Sequence, residues 1–478
     1  MRALILTLPL LVATLPAGDD AASITAATLE SHARFLASDE MRGRDTGSKE
    51  AMRAARYIAE TLDDAGLEGA GDHGSYLQAV PLFELVATGT PYIETQPRGG
   101  EGLDVFAHGE HFSIYHNPAS KAKALSIVRV PAGGPLPSPD AAIALDFEGS
   151  RREAKQLLEA AGIEDGAGYG LIVLRGSSSD GKPRSSVRTG RLSRGFAESS
   201  TAPAWIVARG ELKKSLESGR LTSISFDGAC ELAPVEAANV VARIPGVGTP
   251  ERPELAQEVV VISAHYDHIG VVPDDRKAPL GADGEPDRIF NGADDDASGV
   301  ACVLEVARVL AAGTPQAREV VILLATGEEK GLLGTEHYLD FPAAPLERTI
   351  ANLNVEMIGR ADAQIGGAGQ VWFTGPDETN LIAAFNAAGV SVSRDPYPDQ
   401  NYYKRSDNYA FVKRGVIGQT FSTYDGHGDY HQVTDEPDTL DYDHMAGATQ
   451  ITLDAIRLVT SGAITPQWAP DQGPPEPR

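Results

Sequence analysis

Two kinds of hydrophobic pattern divide the chain. Before residue 236, apolar residues come in short runs separated by Gly, Ser and Pro, apart from helical patterns at about 25–36 and 48–67. From residue 236 onwards, long β-branched runs alternate with helical patterns. Such runs are typical of strands buried on both faces of a parallel sheet. The pattern predicts an α/β fold, a three-layer sandwich around a largely parallel sheet.

Four apolar runs in the second part predict neighbouring strands, and they span residues 258–264, 318–326, 348–355 and 415–421. A helix is predicted over 297–313, because its apolar residues fall on one stripe and Asp296 is available to cap it. In the middle of the chain, two short β-type runs flank the helical pattern at 152–163, which predicts a βαβ-like unit.

Charge and composition suggest the domain boundaries. Residues 236–478 carry 37 acidic and 17 basic side chains, whereas residues 101–235 carry 16 of each. We interpret this neutral stretch as an inserted β-rich domain at 108–235, within a main domain made of 23–107 and 236–462. The Pro-rich end, 463–478, is predicted to be a disordered tail.

Two further segments have a distinctive composition. Arg2, an apolar run and small residues make residues 1–22 typical of a secretory signal peptide, so the mature chain is expected to be exported, either periplasmic or secreted. The stretch 182–194 holds five basic residues and no acidic one, and we expect it to form a surface loop.

Composition also argues against several classes of partner. The net charge of −26 makes nucleic acid and acidic membrane surfaces poor partners for the chain as a whole. No segment of the mature chain approaches the roughly 18 consecutive apolar residues of a membrane span. Cys230 and Cys302 are the only cysteines, so neither a disulfide framework nor a cysteine-rich metal site is expected.

Polar residues follow the predicted strands at their carboxyl ends, and an Asp triplet precedes the helix at 297–313. In strand order they are His265 and Asp267, Glu328 and Glu329, Glu356, and His431, with the triplet at Asp294, Asp295 and Asp296. Because ligands bind beyond the carboxyl ends of strands in open α/β sheets, we expect these side chains to converge. Imidazoles and carboxylates are zinc ligands, and a catalytic zinc takes about three of them. Five ligands with one shared carboxylate therefore predict two metal ions.

The motifs around these residues closely resemble those of the dizinc aminopeptidase family of peptidase clan MH. In chain order they are SAHYDHIG, NGADDDASG, ATGEEKGLLG, NVEMIGR and DYHQVTDEPDTLDY. The resemblance covers about 25–105 and 236–460, which makes this part a zinc peptidase domain. The middle region is more weakly similar to the protease-associated domain often inserted there.

The resemblance implies a ligand set. His265 and Glu356 would bind one zinc ion, Glu329 and His431 the other, and Asp295 would bridge the two. Many members have Asp where this chain has Glu356. The resemblance also implies a cis peptide bond after the bridging Asp295.

The resemblance implies three further roles. Glu328 would be the general base, and Asp267 would accept the other imidazole N–H of His265. Tyr430 would stabilise the oxyanion. His268 and His427 match no ligand position, and we expect them to have structural or rim roles.

The implied function is an exported dizinc metallo-aminopeptidase. A hydroxide bridging two Zn²⁺ would attack the first peptide bond of substrates that have a free N-terminus. The alternatives are a carboxypeptidase or dipeptidase of the same family acting on acidic peptides, or a glutaminyl-cyclase-like acyltransferase. A metal-free receptor would show replaced ligands, and a single-zinc cyclase would lack part of one ligand set. Here both ligand sets are complete.

Overall fold

The computed structural model describes residues 23–100, 102–116, 119–175, 192–194, 203–274 and 276–475. The predicted signal peptide, 1–22, lies outside the described residues. The chain divides into two compact units, one made of the segments up to Ala79 and from Ala238 onwards, the other of Val80–Ala237. The second unit therefore begins 28 residues before the predicted position 108, because the strands after Val80 pair with strands of that unit.

The helices are α1 (Ala26–Leu36), α2 (Lys49–Asp64), α3 (Arg151–Ala160), α4 (Gly210–Glu217), α5 (Gly299–Ala312), α6 (Leu333–Asp340), α7 (Leu381–Ala387), α8 (Asn408–Lys413) and α9 (Tyr442–Thr460). The strands before residue 200 are β1 (Glu68–Gly69), β2 (Leu77–Ala79), β3 (Leu82–Ala87), β4 (Tyr92–Pro97), β5 (Asp104–Ala107), β6 (Phe112–His116), β7 (Lys121–Val130), β8 (Ile143–Phe147), β9 (Leu171–Leu174) and β10 (Leu192–Arg194). The later strands are β11 (Ala204–Ala208), β12 (Leu221–Asp227), β13 (Cys230–Val235), β14 (Ala238–Ile244), β15 (Val259–His265), β16 (Glu319–Ala325), β17 (Thr349–Val355), β18 (Trp372–Phe373), β19 (Ser393–Arg394) and β20 (Ile417–Ser422).

A nine-stranded sheet forms the centre of the first unit. Its order is β1-β14-β16-β15-β17-β20-β18-β19, and β2 also pairs with β14. The four strands predicted from the apolar runs are β15, β16, β17 and β20, and they lie side by side and parallel. Antiparallel pairs flank this parallel centre on both sides.

Helices cover both faces of this sheet, as the continuous apolar runs predict. In β15, Val260 and Ile262 pack in the core that includes residues of α1, α2, α5 and α9. Val259 and Val261 point to the other face, where Tyr338 of α6 and Phe411 of α8 pack. Successive residues of a strand face opposite sides of a sheet, so a strand buried on both sides is apolar throughout. The predicted three-layer α/β architecture is confirmed.

The helix predicted at 297–313 begins two residues later than expected. A wide turn over Ala293–Ser298 precedes α5, which starts at Gly299. The Asp296 carboxylate still accepts the N–H of Gly299, at 3.1 Å, as a capping side chain would. Ala297 and Ser298, which the periodicity assigns to the helix, belong to this turn instead.

The second unit is rich in strands. An eight-stranded sheet has the order β5-β4-β12-β7-β8-β9-β11-β6, and β10-β3-β13 forms a smaller one. The predicted βαβ unit is confirmed, since β8 and β9 are parallel and α3 connects them. Residues 192–194 of the basic stretch form β10 rather than loop, and 182–191 lie outside the described residues. That this unit is a protease-associated domain remains a prediction.

The predicted disordered tail is wrong for its first part. Trp468 packs against the core of the first unit and pairs with Thr379 in an isolated bridge. The Ala469 N–H donates to the carbonyl of Glu378 at 2.9 Å. Although this segment is Pro-rich, it contains the apolar side chains of Ile464 and Trp468, which pack in the core of the first unit. Among the described residues, no helix has the length and apolar character needed to cross a bilayer.

A buried ionic cluster ties α1 to α5. Glu305 is 2% exposed, and its carboxylate accepts hydrogen bonds from Thr28 at 2.8 Å and from the Arg308 guanidinium at 2.8 and 2.9 Å. Burial alone raises the pKa of Glu305, but hydrogen bonds from His32, Arg308 and Thr28 outweigh burial and lower it to about 2. The folded protein therefore holds this carboxylate ionised well below its ordinary pKa.

We predict that Glu305→Gln lowers the free energy of unfolding at pH 7 by about 2–3 kcal/mol. Because the folded pKa lies below the unfolded one, this stabilisation is present above the unfolded pKa. It is lost as the pH falls from about 4.5 towards about 2. Urea unfolding of both proteins across this pH range measures the difference. Glu60→Gln, at an exposed position of α2, is the control and should change little. A difference that does not shrink in acid would contradict the assignment.

Candidate metal centre

The carboxyl ends of four adjacent parallel strands meet at one edge of the central sheet. His265 is the last residue of β15, Glu356 directly follows β17, and Glu329 follows β16 by four residues. His431 lies in the loop after β20, and Asp295 lies in the turn before α5. The convergence expected from the sequence is confirmed for all five residues, whose ligand atoms fall into two groups.

The first group consists of His265, Asp295 and Glu356, and its ligand atoms all lie within 4.8 Å of one another. The His265 Nε2 lies 3.2 Å from Asp295 Oδ1. The other ring nitrogen, Nδ1, donates to the carbonyl oxygen of Asp267 at 3.1 Å. This hydrogen bond leaves Nε2 of His265 free to bind a metal.

The second group lies on the other side of the Asp295 carboxylate. The His431 Nε2 is 3.1 Å from Asp295 Oδ2 and 3.1 Å from Glu329 Oε1. His268 joins this group, with its Nδ1 2.8 Å from Glu329 Oε1. His268 is fully buried among the candidate ligands, so it does not lie at the rim. Asp295 belongs to both groups, as a bridging ligand must.

The donor set fits a pair of zinc ions. Five buried ligand atoms make no hydrogen bond to the described residues, although each can form strong ones. They are His265 Nε2, His268 Nδ1, Asp295 Oδ2, Glu329 Oε1 and His431 Nε2. Buried polar atoms without partners are rare in folded proteins, and two cations, one in each ligand group, would satisfy these five. Nitrogen and carboxylate oxygen are the ligands zinc takes where cysteine is absent.

The backbone around Asp295 is held by its neighbours in the Asp triplet. The Asp295–Asp296 peptide bond is cis, as the resemblance implied. Asp296 accepts the N–H of Met357 at 2.9 Å, and Asp294 accepts the N–H of Gly359 at 2.7 Å. His427 lies 2.9 Å from Asp294 through its Nε2, and its structural or rim role stays a prediction.

Comparison with known proteins agrees with this geometry. Residues 239–456 match the model of Peptidase family M28, and this range contains every candidate ligand. This part of the chain is therefore similar to peptidase family M28. Among curated proteins, a probable zinc metalloprotease of Pyrenophora teres f. teres is 31% identical over 172 residues, covering 34% of this chain and 33% of that protein. Aminopeptidase YwaD of Bacillus subtilis is 33% identical over 103 residues, covering 21% of this chain and 18% of that protein.

The chain thus spans a third or less of the length of these two relatives. Solved structures include an aminopeptidase from Aneurinibacillus sp. strain AM-1, 19% identical, with 91% of this chain and 94% of that chain covered and a TM-score of 0.48. Another is BSAP, a zinc aminopeptidase from Bacillus subtilis, 16% identical, with 91% and 95% covered and a TM-score of 0.45.

Asp267 has a different set of contacts from the one that the resemblance implied. Its carbonyl oxygen, and not its carboxylate, receives the His265 N–H, since the carboxylate lies 3.9 Å from that nitrogen. The carboxylate instead accepts the Thr46 hydroxyl at 2.7 Å and the Glu328 N–H at 3.1 Å. Asp267 therefore fixes the main chain that carries the predicted base.

Glu328 lies beside the two ligand groups. Burial, together with the Glu356, Asp407 and Glu329 carboxylates, raises the pKa of Glu328 well above its ordinary range, and His265 only partly opposes this. A carboxylate with a raised pKa accepts a proton more readily than an exposed one. Glu328 therefore lies beside the two ligand groups, at a position where a carboxylate with a raised pKa could accept a proton.

An aromatic pocket opens next to Glu356. Its walls include Trp372, Tyr402, Tyr424 and Tyr430. The Tyr430 ring stacks on His431, with centroids 3.9 Å apart. Tyr430 thus lies between the pocket and a candidate ligand.

Arg44 is a residue of the site that the sequence analysis missed. It is fully buried, and its guanidinium donates to four carbonyl oxygens, those of Leu36, Tyr266, Asn291 and Gly292. Burial lowers the pKa of Arg44 to about 10, so the group stays charged. Arg44 lies in the segment LASDEMRGRDTGS. Only its tertiary contacts show that Arg44 joins the segments before Asp267 and Asp294.

Two buried carboxylates were also missed. Asp435 accepts the N–H groups of Asp294 and Asp295, at 3.0 to 3.1 Å, and burial raises its pKa to about 6. Asp407 is fully buried, and neither of its oxygens has a hydrogen-bond partner among the described residues. Each of these two residues lies in a polar stretch of the sequence, where a single acidic residue gives no sign that it is buried.

We predict that Arg44→Met lowers the free energy of unfolding by about 3–5 kcal/mol, because it leaves four buried carbonyls without their charged donor. Thermal unfolding of the metal-free proteins measures this effect without any contribution from metal binding. Arg42→Met is the matched control, since Arg42 is exposed, and it should change stability by about 0.5 kcal/mol or less. Equal effects of the two changes would contradict the role of Arg44.

Proposed function

We propose that the chain is an exported dizinc metallo-aminopeptidase that removes the N-terminal residue from peptides. The observation that carries this proposal is the pair of ligand groups that share Asp295. His265 and Glu356 would complete one metal position, and Glu329 and His431 the other. The apolar run after Arg2 supports export. The family match supports peptidase chemistry.

Two bound zinc ions would supply a Lewis acid for the peptide carbonyl and would lower the pKa of the attacking water. Glu328 accepts the proton from that water as general base, and then gives it to the amine that leaves. The Asp267 carboxylate orients Glu328 through the Glu328 N–H. Tyr430 lines the pocket beside Glu356, and its hydroxyl would donate to the oxygen that becomes negative.

Charge around the site supports recognition of a free N-terminus. The segment from 236 onwards carries most of the net charge of −26. The carboxylates of Glu328, Glu329 and Glu356 meet in one crevice. Such a crevice attracts the α-ammonium group of a peptide and disfavours an α-carboxylate. The adjoining aromatic pocket would receive the side chain of the N-terminal residue, and large apolar side chains fit its walls best.

We predict that Glu328→Gln lowers kcat for aminoacyl chromogenic substrates by about 100- to 10,000-fold, because the amide cannot accept the proton. Zinc content should stay at the level of the unchanged protein, since Glu328 is not in either ligand group. Glu347→Gln, at an exposed position, is the control and should keep full activity. Full activity of the Glu328→Gln protein would reject Glu328 as base, and no release from any substrate by the zinc-loaded protein would reject the aminopeptidase proposal.

One observation favours the alternative of a carboxypeptidase or dipeptidase. Arg405 lines the aromatic pocket, and its guanidinium lies over the Tyr402 ring at 5.4 Å. A guanidinium at this position could pair with a substrate carboxylate, either at the C-terminus or on an acidic side chain.

N-acetylated peptides separate the two functions. We predict that they are not cleaved, whereas the same peptides with a free N-terminus are. Arg405→Ala should then affect only substrates with an acidic N-terminal residue, with a rise in KM, because their side chain loses its cation. Lys404→Ala is the control, since this neighbouring cation contacts Tyr409 and does not line the pocket. Cleavage of acetylated peptides that depends on Arg405 would establish the alternative.

A further inference from the structure

The imidazole of His268 lies deep in the second ligand group. The side chain is fully buried. Its Nδ1 is 2.8 Å from Glu329 Oε1 and 3.7 Å from Asp295 Oδ2. The His268 and His431 rings meet edge to face, with centroids 5.6 Å apart. This position is distinct from that of His265, which belongs to the first group.

The contacts of His268 are those of a ligand and not of a structural histidine. Neither Nδ1 nor Nε2 makes a hydrogen bond to the described residues, although a buried histidine normally uses at least one of them. The 2.8 Å contact with Glu329 therefore lacks the geometry of a hydrogen bond. In a tetrahedral zinc site, with metal–ligand distances near 2.0–2.2 Å, neighbouring ligand atoms lie about 3.3 Å apart. The 2.8 to 3.7 Å separations around His268 and His431 bracket this value.

The protein also fixes the place of the ring. The main-chain N–H of His268 donates to the carbonyl of Arg44 at 3.3 Å. A Cβ atom at Gly292 would lie 2.6 Å from two carbons of the imidazole, so only glycine leaves this slot open. Gly292 has a φ of 59°, which also favours glycine. The ring is thus seated before any metal arrives, which is the condition for a ligand that binds tightly.

We propose that His268 is a fourth protein ligand of the ion bound by Asp295, Glu329 and His431. The other ion has three protein ligands, His265, Asp295 and Glu356. The two metal positions are therefore unequal, and the position that contains His268 binds its ion more tightly and loses it last. This inference rests on the proposed metal centre, and it concerns affinity rather than the reaction.

Competition with a chelator tests the inequality in the full-length, zinc-loaded protein. We expect zinc to leave in two phases. His268→Ala should weaken the tighter position by about 100-fold or more, beyond the 10- to 100-fold typical of a residue that only orients a ligand. His427→Ala removes a nearby imidazole that contacts Asp294 and no candidate ligand, so both phases should remain. Unchanged zinc release from the His268→Ala protein would overturn the proposal.

Cobalt separates a ligand from a hydrogen-bond donor. With one equivalent of Co²⁺, the tighter position fills first, and loss of a ligand lowers its coordination number. The visible absorption of the His268→Ala protein should therefore become stronger and shift. His268→Asn keeps an N–H donor, but if His268 is a ligand, this variant should show the same change as the Ala variant. If His268 only donates to Glu329, the Asn variant instead keeps the spectrum of the unchanged protein, and the proposal fails.

Two further controls separate the loss of a ligand from misfolding and from failure of the proposed peptidase function. Far-UV circular dichroism of the metal-free variants reports whether the change at 268 disturbs the fold. If both variants unfold, the one-equivalent Co²⁺ form of the unchanged protein decides by X-ray absorption, because two imidazoles per ion support the proposal and one rejects it. Zinc release in two phases without cleavage of any peptide would reject the proposed peptidase function and leave this inference standing.

Discussion

Repulsion among buried carboxylates at one sheet edge is the constraint on which the rest of this structure depends. Asp295, Glu328, Glu329 and Glu356 lie together because four parallel strands end side by side there. Like charges in a region of low dielectric cannot all stay ionised without compensation. Burial, together with this repulsion, raises the pKa of Glu328. The repulsion also explains why a cation with several coordination positions suits the site.

The protein meets part of this need with its own donors. Backbone N–H groups from the segment after β17 donate to the carboxylates of Asp294 and Asp296. Arg44 brings a fully buried guanidinium near these carboxylates, but it donates to main-chain carbonyls. It therefore adds positive charge without occupying a carboxylate oxygen. The oxygens that face the crevice stay available to metal ions.

The same arrangement would link metal binding to recognition of the proposed peptide substrate. Glu356 belongs to one ligand group and also lines the aromatic pocket, and Tyr430 lines that pocket while stacking on His431. A side chain bound in the pocket would thus lie against residues that hold or neighbour both metal positions. Arg405 is the cationic group among the pocket residues, so the charge of the substrate side chain should matter most at that wall.

The sequence by itself determined the α/β class, the four central strands and the set of polar residues at their ends. Buried parallel strands leave continuous apolar runs in the sequence. The ends of these strands are the places where polar residues can face a crevice. It misplaced the start of the second unit and the ordered part of the C-terminal segment, since neither strand partners nor the packing of Trp468 can be read from composition. Only the tertiary structure decided the contacts of Arg44 and Asp435, placed His268 beside Glu329, and corrected the contacts of Asp267. Their function depends on which distant atoms they meet, and hydrogen bonds such as Arg44 to Gly292 join residues 248 positions apart.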